Sequence, residues 1–181
     1  MPRYAGSVST VVLGPAPPQI DELIESRKRS GIHRLDEVWE GVLHMVPAPG
    51  FGHASVAQRL AVALDGPARA AGLIPAMHEF NLGVDEHDFR VPDGGLLRED
   101  TEDVWLPTAA LVAEIVSPND ETWQKLPFYA AHRVDEVLIV EPRERAIHWL
   151  ALGDDGEYAP VERSGLVELG PARLADTLGW S

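Results

Sequence analysis

The chain has no cysteine in its 181 residues, so neither a disulfide framework nor a zinc–thiolate site can form, and a reducing compartment suits it. Long apolar runs are missing as well. No window approaches the roughly 20 residues needed to span a bilayer, and Val11-Val12-Leu13 is too short for the apolar core of a secretory signal. These absences predict a soluble, cytoplasmic protein with no membrane partner. Basic residues are scarce: 15 Lys and Arg stand against 29 Asp and Glu, a net charge of −14. That sign is wrong for a protein that wraps polyanions non-specifically. A role on nucleic acid therefore has to work through a local site, metal neutralisation or a partner, and most of the carboxylates read as ordinary solvated surface. Signature loops are missing too. No Gly-rich turn precedes a helix in the pattern that cradles nucleotides, none of the seven histidines falls in an HExxH spacing, and Ser117 has no G-x-S-x-G setting.

What is present is a chain 45% hydrophobic, long enough for one domain with a substantial core plus an arm. We read residues 1–30 as an N-terminal arm and short helix, and 31–181 as a single domain. The organising stretch is Leu111-Val112-Ala113-Glu114-Ile115-Val116-Ser117-Pro118, an apolar run with one carboxylate in its middle. Such a run, bounded by polar residues and Pro, reads as a strand buried on both faces. An unpaired ionised Glu114 there would cost about 2–5 kcal/mol. Something has to sit opposite it: an internal Arg or Lys, or a metal ion, since buried charges are paired or coordinate metals.

Taken in order, Met1 to about Gln19 is rich in Gly and Pro and reads as an irregular arm. A short helix follows over Asp21 to Ser30, with Arg27-Lys28-Arg29 at the end where cations suit the helix dipole. Asp36 to Pro47 reads as two short strands turning at Glu40-Gly41, an N-terminal β-hairpin. His53 to Ala71 carries Val56, Leu60, Ala63 and Leu64 on one helical face, with Pro67 expected to end or kink the helix. Short apolar runs between Leu73 and Leu97 predict an antiparallel meander. After a polar loop at Arg98 to Asp103 comes the central strand, about Ala109 to Val116. Ser117-Pro118-Asn119-Asp120 has the composition of a helix start, although Pro127 places the regular helix from about Lys125 to His132. Glu136 to Pro142 predicts a second buried strand. Strands near Ala146 to Leu152 and Tyr158 to Val161 flank the turn Gly153-Asp154-Asp155-Gly156, and a last helix is expected over Pro171 to Leu178.

This order puts Asp93 in the turn Pro92-Asp93-Gly94-Gly95, Glu114 on a buried strand and Lys125 at a helix start. Each alone has an ordinary reading: a turn former, a buried ion pair, a surface lysine. Together they supply two carboxylates for a divalent ion and one cation for developing negative charge, the minimal equipment for metal-assisted phosphodiester hydrolysis.

Val91-Pro92-Asp93, the Leu111–Pro118 stretch, Lys125-Leu126-Pro127-Phe128-Tyr129-Ala130 and Asp135 to Pro142 resemble the Uma-type restriction endonuclease family, a branch of the PD-(D/E)XK nuclease superfamily. Glu37-Val38-Trp39-Glu40-Gly41-Val42 and His53 resemble the same family's first hairpin and helix. The resemblance implies an α/β (α+β) fold, with a mixed central sheet flanked by helices and a restriction-endonuclease-like core. It implies a Mg²⁺ or Mn²⁺ site in which Asp93 and Glu114 bind metal, aided by the main-chain carbonyl of Ile115. Lys125 would orient the attacking water or stabilise the phosphorane. Glu40, His53 and Gln124 are accessory candidates; beside Lys125, Gln124 is a candidate substrate contact, with a solvent-facing helix amide as the favoured reading. In the superfamily's usual pattern the lysine stands two residues after the acidic strand residue, where this chain has Val116. Here the role falls to Lys125, whose long stem can reach across the gap.

These residues lead to a metal-dependent endonuclease acting on DNA. Enzymes that cut both strands often pair about a two-fold axis, so a homodimer suits the function. The alternative, favoured by the acidic charge, is a non-catalytic protein of the same fold that binds a protein partner or serves a regulatory role.

Overall fold

The computed structural model describes residues 10–12, 18–118 and 121–180. In chain order its elements are β1 (Thr10–Val12), α1 (Pro18–Ser30), β2 (Glu37–Trp39), β3 (Val42–Met45), α2 (Phe51–Ala70), β4 (Ile74–Ala76), β5 (Asn81–Asp85), β6 (Asp88–Arg90), β7 (Gly94–Leu97), β8 (Trp105–Leu106), β9 (Leu111–Ile115), α3 (Leu126–Ala131), β10 (Glu136–Glu141), β11 (Ala146–Leu152), β12 (Tyr158–Pro160) and α4 (Pro171–Leu178). No helix among the described residues is long and apolar enough to cross a membrane.

The strands form two mixed six-stranded sheets, one ordered β1-β3-β2-β6-β5-β8 and the other β12-β11-β10-β9-β7-β4. In the second sheet β9 and β10 run parallel, with Glu114 beside Ile139, and α3 makes the crossover that a parallel pair requires. Every residue of β9 is buried, which is why its sequence is a continuous apolar run. Side chains alternate between faces along a strand. Leu111, Ala113 and Ile115 pack with Leu60 and Leu64 of α2, Trp149, and Leu174 of α4. Val112 packs on the opposite face with Phe128 and Tyr129 of α3. Glu114, two residues on, shares that second face and turns toward α3.

The hairpin β2–β3 turns at Glu40 and Gly41, with φ of 50° and 84°. Two positive φ values make the tight turn whose twist matches the flanking strands, and glycine adopts the second at no steric cost. This hairpin is one part of the other sheet rather than an appendage to a single central one. The expected meander is likewise divided: β5 and β6 pair in the first sheet, while β4 and β7 belong to the second. The chain crosses between sheets through Val91-Pro92-Asp93, so Asp93 stands at their junction.

Three local expectations need correction or limits. Within the expected irregular arm, Thr10–Val12 pairs antiparallel with β3, consistent with its β-branched residues, whereas residues 1–9 and 13–17 lie outside the described residues. The helix start expected over 117–120 includes Asn119 and Asp120, also outside them; the chain resumes at Glu121 with a 3-10 turn over Thr122–Lys125 that leads into α3. Pro67 sits inside α2, which ends at Ala70. The helix therefore outlasts its proline by less than one turn, where few backbone bonds remain to be lost.

Candidate active site

Glu114 is 3% exposed and has partners on both neighbouring segments. Lys125 donates from Nζ to Glu114 Oε1 at 3.0 Å and to Glu37 Oε1 at 2.8 Å, and the Tyr129 hydroxyl donates to Glu114 Oε1. Lys125 precedes α3 and Tyr129 lies four residues later, the spacing that puts two side chains on one helical face. Glu37, on β2, is 2% exposed. Its Oε1 also accepts the Val91 N–H at 2.9 Å, and its Oε2 accepts the Trp39 indole N–H at 2.7 Å. Trp39 is itself stacked on His44, with centroids 4.3 Å apart, and covered by the Arg90 guanidinium at 4.4 Å. Glu37 is therefore a fixed clamp on Lys125 that joins the hairpin sheet to the central one.

Asp93 forms the other half of the site. Its Oδ2 accepts the Ile115 N–H at 2.7 Å, and its Oδ1 lies 2.9 Å from His53 Nε2. His53 Nδ1 lies 3.2 Å from Ser117 Oγ. The first turn of α2, the inter-sheet crossing and the end of β9 are thereby tied together. Asp93, Glu114, Ile115, Lys125, His53 and Glu37 all line one cleft of about 260 Å³.

Charge at the cleft is unbalanced. Glu37, Asp93 and Glu114 face one lysine ammonium, and burial, reinforced by Asp93 and Glu37 against the pull of Lys125, pushes the Glu114 carboxyl up to about 7. Burial works against charging Lys125, but Glu114 and Glu37 outweigh it and hold the ammonium above its usual range. Burial, with the nearby Glu114 and Glu37 charges, keeps Tyr129 in its phenol form. Among the described residues no group of three His, Asp or Glu side chains stands ready to enclose an ion. Asp93 and Glu114, the two carboxylates that the sequence offers to a divalent cation, line the cleft together with Ile115. An added cation would lessen the Asp93 and Glu37 repulsion that reinforces burial in raising Glu114.

The structure brings Asp93, Glu114, Ile115, Lys125 and His53 to the cleft, but not Glu40 or Gln124. Glu40 is exposed in the hairpin turn, where its N–H meets Asp88 Oδ1 at 3.1 Å. Gln124 is exposed, and its N–H closes the 3-10 turn on Glu121 O. Glu37 and Tyr129 were missed as site residues. For Tyr129 the signal is the four-residue step from Lys125; Trp39, two residues after Glu37, shares its strand face but does not say whether that face is buried.

Residues 22–180 match the Uma2 family, described as "Putative restriction endonuclease". Among solved structures the chain is similar to a "putative nuclease belonging to DUF820" from Anabaena variabilis ATCC 29413. The TM-score is 0.60 at 15% sequence identity, over 79% of this chain and 90% of that one. At this identity the likeness is one of fold. Comparison with curated proteins returns no match.

Proposed function

The chain belongs to the Uma2 family of nuclease-like proteins, and from that premise we propose that it hydrolyses phosphodiester bonds in DNA at the Asp93–Glu114–Lys125 cleft with a divalent cation, Mg²⁺ or Mn²⁺. The observation that carries this reading is the meeting of those three side chains, from three separate segments, at one cleft that is short of positive charge. Asp93, Glu114 and the Ile115 carbonyl would hold the cation. When bound, the cation supplies Lewis-acid charge to the phosphate and lowers the pKa of the attacking water.

The chain's own residues divide the remaining work. Lys125 keeps its proton between two carboxylates, so it cannot serve as the base that deprotonates water. Of the two roles open to it, it takes charge stabilisation at the phosphoryl oxygens, where a preorganised cation in a dry site is most effective. Glu37 would hold Lys125 in place with Glu114 engaged on a cation. His53 orients Asp93 through Oδ1, while the Ile115 N–H fixes Oδ2.

Incubating the protein with labelled single- and double-stranded DNA and RNA, in Mn²⁺ or in EDTA, tests the reading, with Glu114→Gln in parallel. The expected result is Mn²⁺-dependent cleavage of DNA that Glu114→Gln abolishes. Absence of cleavage under all conditions would favour a non-catalytic binding module, and faster cleavage of RNA would correct the substrate.

A further inference from the structure

The protein's basic residues are few and unevenly placed. From Ser26 to Leu35 the chain holds no carboxylate but carries Arg27, Lys28, Arg29, His33 and Arg34, four of the 15 Lys and Arg in a chain of net charge −14. Two of these are spent locally. Arg27 binds Asp36 and donates to the Val46 carbonyl at 2.6 Å, tying α1 to the hairpin, and Lys28 pairs with Glu25 at 2.8 Å. The 3-10 turn after α1, reached through Gly31 at a φ of 79°, presents His33 and Arg34. Their main chains close that turn, Arg34 N–H to Gly31 O and Asp36 N–H to His33 O. Their side chains are exposed.

Those two residues line a groove of about 980 Å³ whose lining also includes His78, Phe80 and Asn81. Leu35, Ala48, Glu79 and Val91 line both this groove and the active-site cleft, so the two hollows adjoin. The junction is close to the chemistry: Val91 donates its N–H to Glu37 Oε1 at 2.9 Å and stands two residues before Asp93. Of the carboxylates on the groove, Asp36 is neutralised by Arg27, and Glu79 stands at the junction with the cleft.

We propose that this groove is a second binding site, which takes the phosphodiester backbone of the nucleic-acid strand flanking the bond held in the cleft, with Arg34 as its main phosphate contact and His33 and His78 beside it. The inference rests on the phosphodiesterase reading of the cleft and adds the path of the substrate. It explains how so acidic a protein engages a polyanion. The cation and Lys125 hold the scissile phosphate, and one short carboxylate-free segment neutralises its neighbours. Few phosphates are contacted, so the salt dependence is shallow.

The test compares Arg34→Glu with Arg173→Glu, an equal charge change at the start of α4, which lines neither hollow. Binding of fluorescent single-stranded and duplex oligonucleotides is measured by anisotropy in Ca²⁺ over a range of salt, with Mn²⁺-dependent cleavage by the wild type in parallel. Arg34→Glu should weaken binding by about tenfold and flatten the plot of log affinity against log salt by about one unit, while Arg173→Glu stays within about twofold. The strand form that loses more affinity is the one the groove holds. Binding that falls equally in the two variants, or in neither, overturns the groove even if the wild type cleaves. Wild-type binding without cleavage, weakened selectively by Arg34→Glu, upholds the groove and removes the enzyme. Absence of wild-type binding overturns the groove, and absence of both binding and cleavage overturns both readings.

Discussion

Lys125 has two carboxylates, and that duplication decides what each substitution does. Removing the charge of Glu114 leaves Lys125 paired with Glu37, so Glu114→Gln does not orphan a buried cation. Removing Lys125 leaves Glu37 and Glu114 buried without their counter-ion. Lys125→Met should therefore cost about 3–5 kcal/mol, read by urea denaturation in metal-free buffer. The pH dependence follows from Glu114. Its carboxyl is pushed up to about 7 from an ordinary 4.5, so between those values the native state holds a proton that the unfolded chain has released. Stability then falls as pH rises through that window, by about 3 kcal/mol in all. The raised Lys125 value adds no slope there, because lysine is charged in both states. Glu114→Gln should match the wild type near pH 5 and be the more stable protein near pH 8; a variant less stable at pH 8 would contradict this. Asp93, Glu114 and Lys125 were legible as a set because each is a charge set where the pattern is apolar or turning. Glu37 was not, since Glu-Val-Trp beside a tight turn also fits a hairpin edge with its acid in water, and only the second sheet packed over it makes it a buried clamp.

The elements that carry the site were legible where periodicity and punctuation agree. β9, β10, β11 and α4 fall where the apolar runs and their bounding Pro and Gly residues place them. The division of strands between two sheets was not, because alternation along a strand says which face is buried but not which strand lies alongside. The two-residue β8 is too short to show a period. One consequence at this scale concerns β7, which begins one residue after Asp93. A Cβ on Gly95 would meet the Leu111 carbonyl oxygen at 2.5 Å and the Phe80 ring at 3.1 Å. Gly95→Ala should push β7 away from β9, where Gly95 pairs with Val112. Overpacking of this kind costs about 1–3 kcal/mol, and the shift should also displace Asp93 and weaken cation binding. Thermal denaturation and Mn²⁺ titration of the variant check the two effects separately, and wild-type values in both would mean that the strands are not held at that spacing.

For the molecule as a whole, a net charge of −14 sets a long-range field that repels a polyanion, which a cation bound in the cleft and the neighbouring basic segment would oppose. DNA affinity should be weak in EDTA at low ionic strength and rise when Ca²⁺, which often binds without supporting cleavage, cancels charge at Asp93 and Glu114. Equal anisotropy titrations in Ca²⁺ and EDTA would remove the cation as the anchor. The central claim is that Asp93 and Glu114 close on one divalent ion. Calorimetric titration of Mn²⁺ into the wild type, Asp93→Asn and Glu114→Gln, at pH 6 and pH 8, tests it most directly. The account predicts one Mn²⁺ per wild-type chain, bound more tightly at pH 8 because Glu114 must release its proton, and loss of that binding in either variant. Mn²⁺ binding that survives both substitutions unchanged would contradict it.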